Sequence, residues 1–451
     1  MSIIRSRNFA VLAAVFLVAF IGIQFVRPEI MNSPATASAK LPASVEHILR
    51  GACYNCHSSE TTLAWFDQIA PAYWLVASHV NEGRKHLNFS EMGRMPLPQQ
   101  NAALFEAFNQ IQLGAMPPKS YSLVHPESKL TSEKLKVLKT YLQSLEFHEL
   151  SDAQASRSAD GQYANWIAAM APSPKVQPAP NGIEFPSDYK NWTAISSTDR
   201  LDNNTMREVL GNEVAVKAIT AGQINPWPDG TIFAKVAWEK LVDVDGTVHA
   251  GQFKQVEFMM KDGRKYANTK GWGWARWLGM ELQPFGTNRS FTASCISCHL
   301  PRRKNDFVFT APLKPIMGEC MPPAGLHSDI LKWRVITSAV DNRDSTMSTF
   351  FGNDTAVNHA RTDPQGAYPP GSVVALGTWF QREDPNWFGA KVPERLKSLE
   401  IVSADSISNQ PPSFGYEKYG GVSLQRLSLP AGGASSGRVA RLLQQRAAVM
   451  P

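Results

Sequence analysis

Four of the five cysteines in this chain stand in two pairs of identical spacing, each followed directly by a histidine: Cys53-Tyr54-Asn55-Cys56-His57 and Cys295-Ile296-Ser297-Cys298-His299. Cys320 stands alone, so the cysteines do not form a disulfide framework. Two thiols about one helical turn apart can add across the two vinyl groups of a haem, and the imidazole that follows then lies under the iron as its proximal ligand. Paired Cys-x-x-Cys also builds tetrahedral zinc sites, but a histidine placed directly after both pairs favours haem. A redox dithiol expects a thioredoxin-like strand ahead of the motif, and neither pair has one. The pattern therefore predicts two covalently bound c-type haems (iron), one on Cys53, Cys56 and His57 and the other on Cys295, Cys298 and His299.

The chain's 451 residues exceed what one hydrophobic core usually organises, and with 43% hydrophobic residues it has the side chains for several cores. The net charge of +6 is not concentrated in any long Lys/Arg run, which argues against a nucleic-acid partner. Phe9 to Val26 are eighteen residues without a charge, preceded by Arg5 and Arg7. As a helix they would reach roughly 27 Å, about the thickness of a bilayer core. Residues 1–30 are thus read as a membrane anchor with a cytoplasmic N-terminus, placing the rest on the periplasmic side of a bacterial cytoplasmic membrane. Ala37-Ser38-Ala39 keeps a cleavable signal open as the alternative.

Apolar spacing through 64–80 and 130–145 predicts a helical domain over 41–150, and Thr131-Ser132-Glu133 supplies a capping start for its last helix. Residues 151–184, rich in Ala, Ser and Pro, read as a linker. Runs such as Thr231–Trp238 and Gln255–Met260 then announce a β-rich domain over 185–328. The chain also repeats itself at a constant offset of 141 residues: Trp192, Gly211-Asn212, Ala215-Val216, Pro228, Gly230, Ala234 and Trp238 recur as Trp333, Gly352-Asn353, Ala356-Val357, Pro369, Gly371, Ala375 and Trp379. Residues 329–430 are therefore a degenerate second copy without a Cys-x-x-Cys-His motif, and 431–451 read as a mobile tail. The expected class is α+β.

Met116, held by two prolines in Gly114-Ala-Met-Pro-Pro118, is the expected sixth ligand of the first haem, with Met95 as competitor. Trp65, Ala72–Val76, His86–Ser90, Met116–Pro118 and His125-Pro126 make residues 42–148 resemble the haem-binding domain of bacterial c-type cytochromes. No methionine lies at a comparable distance from His299, since Met321 follows after only twenty-two residues, so an open sixth position is expected there. Pro228-Asp-Gly230, Tyr266, Gly271–Trp277, Cys295–His299 and Asn305–Thr310 make residues 185–328 similar to the cytochrome P-460 family. That resemblance implies a mostly antiparallel sheet, a c-type haem, a lysine cross-linked to the porphyrin edge, and oxidation of hydroxylamine to nitric oxide or nitrous oxide.

The family's lysine precedes the attachment motif by some sixty to seventy residues on a strand, which indicates Lys235; its counterpart in the second copy is Leu376, so basic residue and motif are missing together. Lys217 is a weaker rival on a helix surface. Arg289 and Thr292 are candidates for polar groups near the iron, and Cys320 is assigned no chemistry. Lys235 and His299 are thus the expected catalytic residues of a dihaem oxidoreductase acting on hydroxylamine or a related small nitrogen compound. The electrons would leave through the Met-ligated haem to an acceptor cytochrome or a quinone-linked protein. The alternative is a nitric oxide sensor or scavenger, or an electron-transfer cytochrome without catalysis, in which Lys235 forms no cross-link. Intact mass after acid–acetone extraction should show two haem additions per chain; one, none, or zinc in their place would overturn the reading of the motifs.

Overall fold

Apolar residues at helical spacing build the first of two compact units, Met1–Leu145 and Glu146–Pro451. The computed structural model describes residues 2–30, 37–145, 151–168, 176–313, 330–363, 366–405, 413–421, 424–428 and 434–451. The first unit contains α1 (Ser2–Ile23), α2 (Ala43–Ala52), α3 (Tyr54–His57), α4 (Ala72–His86), α5 (Leu97–Gln112), α6 (Lys119–Val124) and α7 (Ser132–Gln143). Val45, Ile48, Leu49 and Ala52 are the buried face of α2, and Leu138 and Leu142 are that of α7, on which both α2 and α5 pack. Thr131 caps α7 by accepting from the Lys134 N–H at 3.4 Å.

Among the described residues no helix is long and apolar enough to cross a membrane. Helix α1 ends at Ile23. The last three residues of the apolar run leave the helix, where Gln24 pairs with the backbone of Ala70 and the Val26 carbonyl accepts from Trp74. Phe9, Val15, Phe16, Val18 and Ile21 are all exposed.

The second unit is a twelve-stranded antiparallel sheet made by the two copies of the repeat. It opens with α8 (Ala153–Ala168), and the first copy follows as β1 (Thr193–Arg200), β2 (Thr205–Gly211), α9 (Glu213–Thr220), β3 (Ile232–Val242), β4 (Thr247–Lys261), β5 (Trp272–Leu278), β6 (Gln283–Pro284) and α10 (Thr292–His299). The second copy is β7 (Arg334–Asp341), β8 (Thr346–Gly352), α11 (Asp354–Thr362), β9 (Val373–Glu383), β10 (Ala390–Asp405), β11 (Ser413–Gly420), β12 (Gln425–Arg426) and α12 (Ala434–Leu443). Asn212 and Asn353 cap α9 and α11 identically, each accepting from the N–H three residues on at 3.0 Å. Even the irregularities repeat, since the β3–β4 ladder shifts register around Trp238 and the β9–β10 ladder around Trp379. This α+β architecture agrees with the class expected from the sequence.

The copies join about a pseudo-twofold axis. Thr193 of β1 pairs with Arg334 of β7, and the tip of each copy's long hairpin crosses to the other: β10 pairs with β1, and β4 pairs with β7. Glu208 is buried at this seam, accepting from Ser338 Oγ at 2.6 Å and Thr349 Oγ1 at 3.2 Å.

Two expectations need correction. Much of the segment read as a linker is packed structure: α8 lies on β4 through Gln162, which bonds both backbone groups of Phe253, and Ala179 and Ile183 are core residues. Alanine-rich composition favours helix as readily as linker once Tyr163 and Trp166 give it an apolar face. The tail read as mobile forms α12 and then buries Ala447 to Met450; Trp238 Nε1 donates to the Val449 carbonyl at 2.8 Å.

Burial lifts the Glu208 carboxyl from its ordinary 4.5 to about 8, against the two hydroxyl hydrogen bonds, which lower it. The folded chain thus keeps a proton that the unfolded chain loses first, and this group's contribution to stability declines as pH rises from about 4.5 through about 8. Glu208→Gln should flatten that decline and melt above wild type at pH 8 while matching it near pH 5 in thermal scans. Parallel pH profiles of the two proteins would show that Glu208 does not carry the effect.

Candidate haem sites

In the first unit α2 runs directly into the motif, with Cys53 as its C-terminal cap. Helix α4 crosses the motif where Gly83 lacks a side chain, since a Cβ there would stand 2.8 Å from the Cys56 carbonyl oxygen and 3.3 Å from His57 Cε1. His57 Nδ1 donates to the Leu87 carbonyl at 3.1 Å, which leaves Nε2 as the free ring nitrogen. Arg84 holds the following residues through Ser58 O and Thr61 Oγ1, both at 2.7 Å. Asn55, inside the motif, donates to Tyr121 Oη at 3.0 Å, and the Tyr121 ring stacks on His125, which in turn pairs with buried Asp67. Burial pushes the Cys53 thiol to about 12 and the Cys56 thiol to about 11, and lowers the His57 imidazole.

Thiols held protonated by burial do not suit a reactive dithiol, which needs an accessible thiolate. Among the described residues no group of three or more His, Cys, Asp or Glu could hold a metal ion alone. Protonated thiols beside a neutral, oriented imidazole do fit haem attachment. Met116 follows Gly114, whose φ is +70°, at the end of α5 and presents a partly exposed side chain. It stands five residues before Tyr121, so its segment is tied to the motif through Asn55. Met95 precedes α5, as the C-terminal cap of the short turn Met92–Arg94.

In the second unit α10 carries Cys295, Cys298 and His299 and lies against β5. His299 Nδ1 donates to the Phe307 carbonyl at 2.7 Å, the arrangement seen at His57. Its ring stands between Trp274 and Phe309, with centroids 4.6 and 5.0 Å away. The acceptor loop is strained: Asp306 and Phe307 both have positive φ, 49° and 65°, a rare conformation for a bulky residue. Asp306 anchors it by accepting from Lys261 Nζ at 2.7 Å, Trp272 Nε1 at 3.3 Å and the Trp227 N–H at 2.9 Å. Burial takes the His299 imidazole down to about 4, so it is neutral at physiological pH.

Lys235 of β3, Glu257 of β4 and Arg276 of β5 form one cross-strand row. Lys235 Nζ lies 2.6 Å from Glu257 Oε2, and Arg276 Nε lies 3.6 Å from Glu257 Oε1. Burial lowers the Lys235 amine to about 8, although Glu257 opposes the shift. Burial raises Glu257, but Lys235, Arg276 and Arg207 outweigh it and hold the carboxyl far below the usual range. The charges of Lys235 and Glu257 act on both Cys295 and His299, so the row and the motif share one site. The same rung of the second copy pairs Leu376 with Glu400.

Among the other sequence candidates, Lys217 is exposed and pairs with Glu213 at 2.6 Å. Arg289 is exposed, and the Thr292 hydroxyl donates to the Arg289 carbonyl at 3.0 Å. Cys320 and Met321 lie outside the described residues. Glu257, Arg276 and Phe309 were not anticipated as part of the site; Glu257 alone had a usable signal, its place on the strand that follows Lys235 through a tight turn.

Residues 18–144 match the family model of a haem-binding domain, and residues 186–310 match that of cytochrome P460. No curated protein matches the chain. With Cys295 and Cys298 both changed to Ser, amine acylation of Lys235, followed by peptide mass mapping, should rise with a midpoint near pH 8. Glu257→Gln should move that midpoint lower, because burial then acts unopposed. A midpoint near 10.5 would show that Lys235 is not desolvated.

Proposed function

We propose that this chain, a haem-binding domain followed by a cytochrome P460 domain, is an exported dihaem c-type cytochrome that oxidises hydroxylamine or a related small nitrogen compound. Cys295, Cys298 and His299 would hold one haem, and Cys53, Cys56, His57 and Met116 the other. Such groups supply an iron centre that takes electrons from a small ligand at the first position and a relay toward an acceptor cytochrome or quinone-linked protein at the second.

The observation that carries this reading is Lys235, a desolvated lysine whose charge reaches Cys295 and His299 and whose counterpart in the copy without a motif is Leu376. Desolvation keeps a larger share of the amine neutral and nucleophilic, as attack on the edge of an already oxidised porphyrin, which would take up the electrons, would require. Once Lys235 no longer carries its charge, Glu257 keeps Arg276 as partner and its carboxyl rises toward the ordinary range. It then becomes a better acceptor for protons that a substrate releases on oxidation. His299 keeps its ring orientation through Phe307, and Trp274 and Phe309 exclude water from it.

One observation favours the second reading. Lys235 is engaged in an ion pair with Glu257, and a lysine that stays so paired would leave a site that binds nitric oxide without oxidising hydroxylamine. Arg5 and Arg7 ahead of an apolar helix support export, and the exposed side chains of α1 support its contact with lipid as an anchor, with the rest of the chain on the periplasmic side.

Lys235→Leu decides between the two. Leucine fills the same strand position at Leu376, so the fold should hold and the haem should stay on Cys295 and Cys298. The spectrum of the reduced second haem should revert to that of an ordinary c-type haem, hydroxylamine-dependent reduction of an artificial acceptor should fall by orders of magnitude, and nitric oxide binding should survive. Wild type without that activity would favour the sensor reading instead, and a variant that retains it with an unaltered spectrum would show that Lys235 is not the cross-linking residue.

A further inference from the structure

The two copies differ at the tips of their crossing hairpins. The β3–β4 turn is four residues, Asp243 to Gly246, whereas the β9–β10 turn is six, Asp384 to Gly389. The two extra residues shift the repeat offset from 141 to 143 beyond this point, so that Glu400, not Ser398, stands where Glu257 does. The longer tip reaches the first copy beside His299. Gly389 accepts from the Leu201 N–H at 2.8 Å, and Trp387 Nε1 donates to Asp202 Oδ2 at 3.2 Å under the Arg200 guanidinium. Asn386 Nδ2 donates to the Phe309 carbonyl at 2.7 Å, and the Trp387 ring meets the Phe309 ring edge-on at 5.7 Å. Phe309 in turn meets His299 edge-on at 5.0 Å, two residues beyond the carbonyl that His299 uses.

We infer that Asn386 and Trp387 of the second copy are positioning residues for the histidine of the first: they clamp residues 307–309 so that the strained Phe307 carbonyl stays on His299 Nδ1. Asp306 fixes one end of that loop from within the first copy, and the hairpin tip fixes the other from outside it. A backbone at φ 65° on a phenylalanine relaxes unless it is held on both sides. Losing the Nδ1 hydrogen bond makes the imidazole a weaker donor to a metal on Nε2. The inference rests on the proposed haem at His299.

Trp387→Ala and Asn386→Ala in the full chain should both keep haem on the peptide containing Cys295 and Cys298. In each, the iron–histidine stretching band of the reduced second haem should move to lower frequency and its midpoint potential become more positive, with the first haem unchanged as internal reference. Trp387→Phe, which keeps a ring on Phe309, should restore the band, and it decides the matter together with Asn386→Ala if Trp387→Ala does not fold. Val439→Ala, in the core of the second copy, should lower the melting temperature without moving the band. An unchanged band and midpoint in the tip variants, or an equal shift in Val439→Ala, would reduce the tip to ordinary packing. A wild-type peptide without haem would overturn the haem reading and this inference together.

Discussion

Neither copy of the repeat finishes its own sheet, and the crossing of their hairpins is the constraint from which the rest of the second unit follows. The far ends of β1 and β7 would be open edges, with unpaired N–H and C=O groups, if β10 and β4 did not cover them. At the centre, β1 and β7 share a single residue pair, so the seam depends on the hairpins and on the apolar cluster beneath them. Met206 and Met347 occupy the same position of the two copies and pack in that cluster with Val248 and Val340, which pair across β4 and β7. Each such side chain, fully buried, contributes roughly 1.5–3 kcal/mol, and the main core adds Val335, Phe351, Ala375 and Trp379 of the second copy to the buried residues of the first. Glu208 breaks the symmetry, since its counterpart is Thr349, one of the two hydroxyls that donate to its Oε1.

The second copy lacks the lysine and the motif yet keeps the carboxylate, and the C-terminal helix explains how it can. Glu400 is buried opposite Leu376, and a buried carboxylate without a cation is strongly destabilising. In the first copy Lys235 and Arg276 supply the charge. In the second Arg438 of α12 does so, with both carboxylate oxygens accepting at 2.8 Å and Tyr416 Oη donating at 2.6 Å. Val439 and Leu442 of the same helix join Leu376, Phe350 and Val402 in one core. The terminal segment therefore supplies both the ion-pair partner and the apolar cover that this face of the second copy needs.

What could be read from the sequence follows the range of the interactions involved. The attachment motifs and the repeat were legible because their information is local or held at one constant offset. Glu257 was only half legible: a hairpin centred on Asp245 places Gln255 opposite Lys235, and it takes the register shifts around Trp238 to bring Glu257 there instead. The hairpin tip with Asn386 and Trp387 lies past the last matched position, Trp379, and the two-residue insertion ends the register that made the copies comparable. Helix α12 was hidden by Gly432-Gly433 and Ser435-Ser436-Gly437, residues that read as chain breakers, although Val439, Leu442 and Leu443 carry helical spacing. Its docking against Glu400 and Leu376 is a contact across more than thirty residues, which no local pattern encodes.

The two histidines arrive at the same orientation by different physical means. His57 donates to Leu87, the residue that ends α4, where a helix leaves carbonyls without intrahelical partners, so the acceptor is available as a by-product of the helix terminus. His299 donates to a carbonyl in a loop with two consecutive left-handed residues, a conformation the chain adopts only because Asp306 is tied to Lys261, Trp272 and Trp227 and the far end is tied to the neighbouring copy. The first histidine is oriented within its own unit. The second draws on both copies, which gives the copy without a motif a structural reason to remain in the chain and keeps its longer hairpin under the constraint of the site it touches.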